Sequence, residues 1–141
     1  MTAYADTSFI VSLYTRDRHS AAALELMKLK PRVWFTPLHS AEFFHAVALQ
    51  VFRGESAPSQ AQAVYDDLKR DLGAGVWFEA PMPENAFTVC ADLARLHAPK
   101  LGVRTLDSLH VACALELKAD RFWTFDDRQA KLAKIQGLKM S

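Results

Sequence analysis

The sequence predicts an α/β fold in which a parallel sheet is covered by helices on both faces. Three short runs dense in β-formers, Val33-Trp34-Phe35, Val76-Trp77-Phe78 and Phe122-Trp123-Thr124, punctuate the chain. The segments between them carry apolar residues at helical spacing and are long enough to cross over. Strands alternating with helices pair in parallel, because a parallel neighbour is reached only through such a crossover. In sheets of this kind ligands bind beyond the carboxyl ends of the strands, where the strand order reverses.

A chain of 141 residues, half of them hydrophobic and 23% charged, is expected to form one domain over residues 1–141, with a core that needs neither metal nor disulfide. No run reaches the roughly 18 apolar residues of a membrane span. The first base is Arg16, so no signal peptide is expected, and the cytoplasm is the expected compartment. Cys90 and Cys113 fall far apart on predicted helices and outside C-x-x-C spacing, which points to buried free thiols rather than a bridge or a zinc site. A net charge of +1 does not announce a nucleic-acid binder, but the charge is uneven. Arg16, Arg18, Lys28, Lys30 and Arg32 crowd one segment, and Arg128, Lys131, Lys134 and Lys139 have no acid among them. Such clusters fit either a basic face for phosphates or ordinary solvated helix faces.

Taken in order, Tyr4-Ala5-Asp6 ends a first strand and turns into a helix from Thr7 to Tyr14, which sets Asp6 at the carboxyl end of strand one. His19 to Leu29 is a second helix with Ala22, Leu26 and Leu29 as its stripe. Thr36-Pro37 stops the strand at Val33, because proline has no N–H for a ladder. Leu38 to Arg53 is helical, with Ala41, Phe44, Ala48 and Phe52 on one side, Glu42 near its start and Gly54 as its C′ residue. Ser56 to Ser59 turns into the next helix, Gln60 to Leu72, where Val64, Leu68 and Leu72 keep helical spacing. Pro81 and Pro83 end the strand at Trp77, Glu84 to His97 is helical, and Pro99 to Gly102 is a loop. Asp126 and Gln129 have capping-box spacing for a helix from Arg128 to Ile135. Gly137 stops that helix, and Leu138 to Met140 forms a short fifth strand.

The segment from Val103 to Leu117 is the central helix. Leu109, Val111, Ala112, Cys113, Ala114 and Leu115 leave it hardly any polar face, so it belongs in the core. Thr105 reads as its N-cap, and Asp107 sits in the first turn, where the helix dipole favours an anion.

On this outline Asp6 and Asp126 lie at the ends of strands one and four, while Glu42 and Asp107 lie in the first turns of two helices that open onto the same edge. Gathered carboxylates repel unless some are protonated or a cation neutralises them. A hard divalent ion with oxygen ligands, Mg2+ or Mn2+, resolves the repulsion and suits phosphoryl chemistry. Each acid also has a plain structural reading. Asp6 caps the first helix, Glu42 is a dipole-favoured surface residue, Asp107 is a first-turn charge and Asp126 is a capping-box member.

Four motifs sharpen the choice. A-D-T-S-F at Ala5, A-E-F-F-H-A-V at Ala41, R-T-L-D-S-L-H-V-A-C-A at Arg104 and W-T-F-D-D-R-Q-A-K-L-A at Trp123 resemble, in order and spacing, those of PIN-domain ribonucleases, especially VapC-type toxins. The resemblance implies a PIN-like three-layer fold with a five-stranded parallel sheet in the order 3-2-1-4-5. It implies a metal-dependent endoribonuclease, a hydrolase acting on RNA with Mg2+ or Mn2+ as cofactor, and membership of a toxin-antitoxin pair. A homodimer bound by an antitoxin protein is the implied assembly, and the apolar Phe43, Phe44, Val47, Val51 and Phe52 suit a dimer face. The family's acidic quartet carries over to Asp6, Glu42, Asp107 and Asp126 as catalytic and metal-binding residues. Its hydroxyl near the pocket carries over to Thr7 or Ser8, with Thr124 as a further candidate. The family position is the first Asp after T-F, which makes Asp126 the pocket acid and Asp127 an outer or surface acid. Arg104 is expected to touch substrate phosphate or to pair with a pocket acid. His110 and His45 read as satisfied core-edge histidines, since Mg2+ prefers oxygen.

A non-catalytic PIN module that binds RNA or protein is the alternative, but no quartet acid is missing. A phosphatase of the D-x-D kind is disfavoured by Asp6-Thr7-Ser8, and no lysine after a late strand and no paired acids suggest a phospho-accepting receiver.

Overall fold

The computed structural model describes residues 1–140. Four strands form one parallel sheet: β1 (Thr2–Ala5), β2 (Arg32–Phe35), β3 (Trp77–Glu79) and β4 (Arg121–Trp123), in the order β3-β2-β1-β4. The chain walks outward from β1 through β2 to β3 and then returns across the sheet to add β4 on the other side of β1. That return makes the gap between β1 and β4 the point where strand order reverses.

Among the described residues seven helices cover the sheet: α1 (Thr7–Tyr14), α2 (Ser20–Met27), α3 (Pro37–Phe52), α4 (Pro58–Gly73), α5 (Ala86–Leu101), α6 (Thr105–Glu116) and α7 (Asp127–Ile135). Side chains alternate across a strand, and the core divides accordingly. Ala3, Ala5, Val33, Phe35 and Trp123 face α1 to α4, where Phe9, Ile10, Ala23, Phe43, Val47, Ala61 and Leu68 are buried. Tyr4 and Phe122 face the opposite layer, with Cys90 and Leu93 of α5, Val111 to Ala114 of α6 and Leu132 of α7. The continuous apolar run of α6 is explained by this seat: Ser108 through Ala114 are all buried. Cys90 and Cys113 are buried free thiols, and burial pushes the Cys113 thiol up to about 11.

Several sequence expectations are corrected. The fifth strand is reduced to a single parallel bridge, Arg121 to Lys139, because among the described residues past Gly137 only Lys139 pairs with β4. The N-cap of α6 is Arg104, not Thr105; the Asp107 side chain reaches back to accept the Arg104 N–H at 3.2 Å, which leaves Thr105 as the first helical residue. α5 does not stop before Pro99 but runs to Leu101 and ends at Gly102, whose φ of 67° is the left-handed conformation that lets the chain reverse. In α2 the buried residue is Ala23, while Ala22 and Leu29 are exposed. α3 buries His39, Phe43 and Val47, so the Ala41–Phe44–Ala48–Phe52 face points outward. His45 lies exposed on α3, with Nδ1 against the Ala41 carbonyl at 2.8 Å. Among the described residues no helix is long and apolar enough to cross a membrane.

Candidate active site

At the carboxyl edge beside β1 and β4, a cavity of about 200 Å3 is bordered by Asp6, Glu42, Asp107 and Asp126, together with Thr7, Ser8, Arg104 and His110. The four acids come from four different elements. A larger cavity of about 620 Å3 near Pro37 and Pro81 contains only Glu79 as an acid, so size does not mark the chemistry.

Asp6 follows β1 directly and serves as N-cap of α1. Its Oδ1 accepts the Phe9 N–H at 3.0 Å and the Ser8 hydroxyl at 2.8 Å, while the Thr124 hydroxyl lies 3.2 Å from Oδ2. Asp6 is 8% exposed, and burial holds its carboxyl above the ordinary value against the lowering effect of these bonds. Asp126 repeats the pattern as N-cap of α7, with Oδ1 accepting the Gln129 N–H at 2.8 Å. The cap reading and the pocket reading therefore describe the same residues, because capping takes Oδ1 and leaves Oδ2 of Asp126 without a protein donor and Oδ2 of Asp6 beside the Thr124 hydroxyl alone, among the described residues.

Glu42 is held from two sides. The Thr7 hydroxyl donates to Oε1 at 2.8 Å, and His110 Nε2 lies 2.5 Å from the same oxygen. A carboxylate only accepts, so Nε2 carries a proton toward Glu42, while the Tyr4 hydroxyl lies 2.7 Å from Nδ1. Burial pushes Glu42 up, but the His110 bond and charge and the Thr7 bond outweigh it, and its pKa falls below the ordinary value. His110 is thus a satisfied histidine, as expected, but one whose partner is a pocket acid.

Two supports had only faint signals in the sequence. Gln129 is fully buried, its Oε1 accepting the Thr124 hydroxyl at 2.6 Å and its Nε2 donating to the Asp107 carbonyl at 3.2 Å. One side chain thereby ties the end of β4 to the first turn of α6, and only its capping-box spacing hinted at it. His39 fixes the start of α3 to the end of β1, and nothing in the pattern singled it out. Arg104 is 86% exposed with Nε 3.6 Å from Asp107 Oδ2, a loose pair at the rim. Asp127 is exposed and does not border the cavity.

The donor set is one of oxygens. Among the described residues Glu42 Oε2, Asp107 Oδ1 and Asp126 Oδ2 take no hydrogen bond from protein, and no three acids or histidines lie close enough to hold an ion on their own. Such a set fits a hard divalent cation that is bound through one or two carboxylates and keeps several waters, and it does not fit a soft or fully caged metal.

An α/β sheet whose switch point opens onto carboxylates from separate elements defines a class of proteins with an acidic pocket beyond the strand ends. Within that class the chain belongs to the PIN domain family, whose model matches residues 3–135. No curated protein matches it in sequence. Its fold resembles FitAcB from Neisseria gonorrhoeae, at 17% identity and a TM-score of 0.70 over 99% of this chain and 96% of that one. It also resembles Mycobacterium tuberculosis VapC20, a Sarcin-Ricin loop cleaving toxin, at 16% identity and a TM-score of 0.69 over 92% and 94% of the two chains. VapBC2 from Rickettsia felis, in a structure bound to a DNA fragment from their promoter, matches at 16% identity and a TM-score of 0.66 over 100% and 98%.

Proposed function

We propose that this protein is a Mg2+- or Mn2+-dependent endoribonuclease and the toxin of a type II toxin-antitoxin pair, a cytoplasmic homodimer restrained by an antitoxin protein. The observation that carries the reading is the convergence of Asp6, Glu42, Asp107 and Asp126 on one cavity of about 200 Å3. Membership of the PIN family supports hydrolysis of RNA, and the fold shared with a Sarcin-Ricin loop cleaving toxin supports the toxin role.

Asp6, Glu42, Asp107 and Asp126 would hold the cation, one or two of them through a carboxylate oxygen directly and the others through waters it keeps. A cation held there would supply charge neutralisation among the carboxylates and polarisation of the phosphodiester. Asp6 is fixed for that task by its cap bond to Phe9 and by Ser8. Glu42, held anionic by His110 and Thr7, orients the attacking water and accepts its proton. Arg104, exposed at the rim, meets the phosphate of the incoming strand.

The test is cleavage of single-stranded RNA with Mg2+ or Mn2+ and again with excess EDTA. Activity lost in EDTA and restored by Mn2+ is the expected result; equal cleavage in EDTA overturns the mechanism. Glu42→Gln keeps the size and the Thr7 contact but removes the proton acceptor, and a loss of about 100-fold or more in single-turnover rate is expected.

A further inference from the structure

A second cavity, of about 290 Å3, opens beside the acidic one and shares Thr7, Ser8 and Glu42 with it. Its remaining wall includes Ser12, Asp17 and His19, none of which has a part in the hydrolysis described above. The volume lies at the low end of ligand cavities, roughly 300 Å3, a size for one base rather than for a length of RNA.

The His19 ring is a prepared surface. It stacks on Phe125 with centroids 4.2 Å apart and planes 4° from parallel. Phe125 stacks in turn on Phe9, at 5.6 Å and 17°, and Phe9 is fully buried beside Trp123. The Arg18 Nε–H also donates to His19 Nε2 at 3.2 Å. An aromatic ring fixed in this way, half-buried and bordering a cleft, is what an unstacked base requires.

Asp17 supplies the polar end. Its Oδ1 accepts the His19 N–H at 2.8 Å and its Oδ2 accepts the Ser12 hydroxyl at 2.8 Å; the Ser20 hydroxyl lies 3.4 Å from Oδ1 but its one proton goes to the Thr15 carbonyl at 2.9 Å, so the carboxylate is pinned while each oxygen keeps a lone pair for a further donor. An acceptor-only group with two oxygens selects a base edge carrying two adjacent donors. Guanine alone has them, N1–H beside the 2-amino group. Adenine and cytosine each place an acceptor next to their amine, and uracil sets its single N–H between two carbonyls.

We infer that this cavity is a guanine subsite, in which the base next to the scissile phosphate stacks on His19 and is read by Asp17. The inference rests on the nuclease reading for its neighbouring phosphate, but the base can be tested without it. The probe is guanosine, which has no phosphate, in EDTA, compared with uridine and read by saturation-transfer NMR on the nucleoside. Guanosine should bind at least tenfold tighter than uridine. His19→Ala should weaken guanosine about tenfold, whereas His19→Phe, which keeps a stacking ring, should stay within about threefold of the parent. Asp17→Asn should reduce the preference over uridine at least fivefold, and thermal melting checks that each variant is folded. Equal binding of the two nucleosides, or a folded His19→Ala that binds like the parent, overturns the subsite. Guanosine preference without RNA cleavage in Mn2+ supports the subsite and removes the nuclease reading; cleavage without guanosine preference does the reverse.

Discussion

His39 has no exposed surface, and each of its ring nitrogens has a backbone partner. Nδ1 accepts the Thr36 N–H at 2.9 Å, so the proton sits on Nε2 and is donated to the Ala5 carbonyl at 2.7 Å. Burial, reinforced by the charge of His110, lowers its pKa from 6.5 to about 3. A histidine whose pKa is lowered by folding is neutral in the native state while the unfolded chain is protonated. Between pH 6.5 and about pH 3 the unfolded chain binds more protons, and stability rises with pH across that window. Acidification from pH 7 to pH 5 should therefore cost about 2 kcal/mol from this residue. His39→Gln cannot be protonated and should lose that pH dependence. It should also be less stable at pH 7, because one amide cannot span Thr36 and Ala5. Urea unfolding of both proteins at the two pH values checks the difference, and parallel pH dependence would show that His39 is not the titrating group. A second residue-scale test separates Asp126 from Asp127. Asp127 is exposed, so Asp127→Asn should retain most RNA cleavage, whereas Asp126→Asn should lose about 100-fold or more while Asn still caps α7. The sequence argues for Asp126 from its position after Thr124-Phe125, and Asp126 is the one of the two that borders the cavity. His39 was not legible, because a buried histidine contributes to an apolar stripe only through partners that sequence does not display.

α3 shows why helix faces are harder to read than helices. Its existence and ends were plain: Pro37 opens it, and Gly54 follows with a φ of 74°. Two stripes nevertheless keep helical spacing, His39–Phe43–Val47 and Ala41–Phe44–Ala48–Phe52, and the second is the more apolar in composition. The structure buries the first because His39 finds its partners at the end of β1, which leaves Phe44 42% and Phe52 87% exposed. α6 is the opposite case. A helix buried on nearly every side needs no choice of face, and its core role was legible from composition alone. Its cap was not, since Arg104 has no capping side chain of the usual kind and Asp107 serves from the third helical position. The outward face of α3 carries the proposed dimer. Phe52→Lys removes little that folding buries and should change monomer stability by no more than about 0.5 kcal/mol. If α3 forms the dimer face, sedimentation at tens of micromolar should show the parent as a dimer and the variant as a monomer. A parent that sediments as a monomer would remove the dimer, and a dimeric variant would move the interface off α3.

At the scale of the molecule, the parallel sheet brings distant acids together. β1 delivers Asp6 at its end and β4 leads to Asp126, while α3 and α6 start at the same edge and carry Glu42 and Asp107 in their early turns. This much followed from alternating strands and helices, whereas the fifth strand did not, because three residues after Gly137 can form a bridge or a strand with the same composition. A carboxylate buried at this edge carries a desolvation cost, which holds Asp6 above its ordinary pKa. Asp6→Asn removes that cost and keeps the cap to Phe9, so the metal-free variant should melt a few degrees higher, on a scale of about 1 kcal/mol. The parent should gain about 2.7 kcal/mol in Mn2+ at 100 times its Kd, and the variant far less. In single-turnover RNA cleavage, Asp6→Asn and Asp107→Asn should each lose nearly all activity, and the double variant should be scarcely worse than either, because groups that act as a unit are non-additive. Losses that multiply, or a folded Asp107→Asn that still cuts RNA, would mean that the four acids serve only as caps and surface charges on a shared edge.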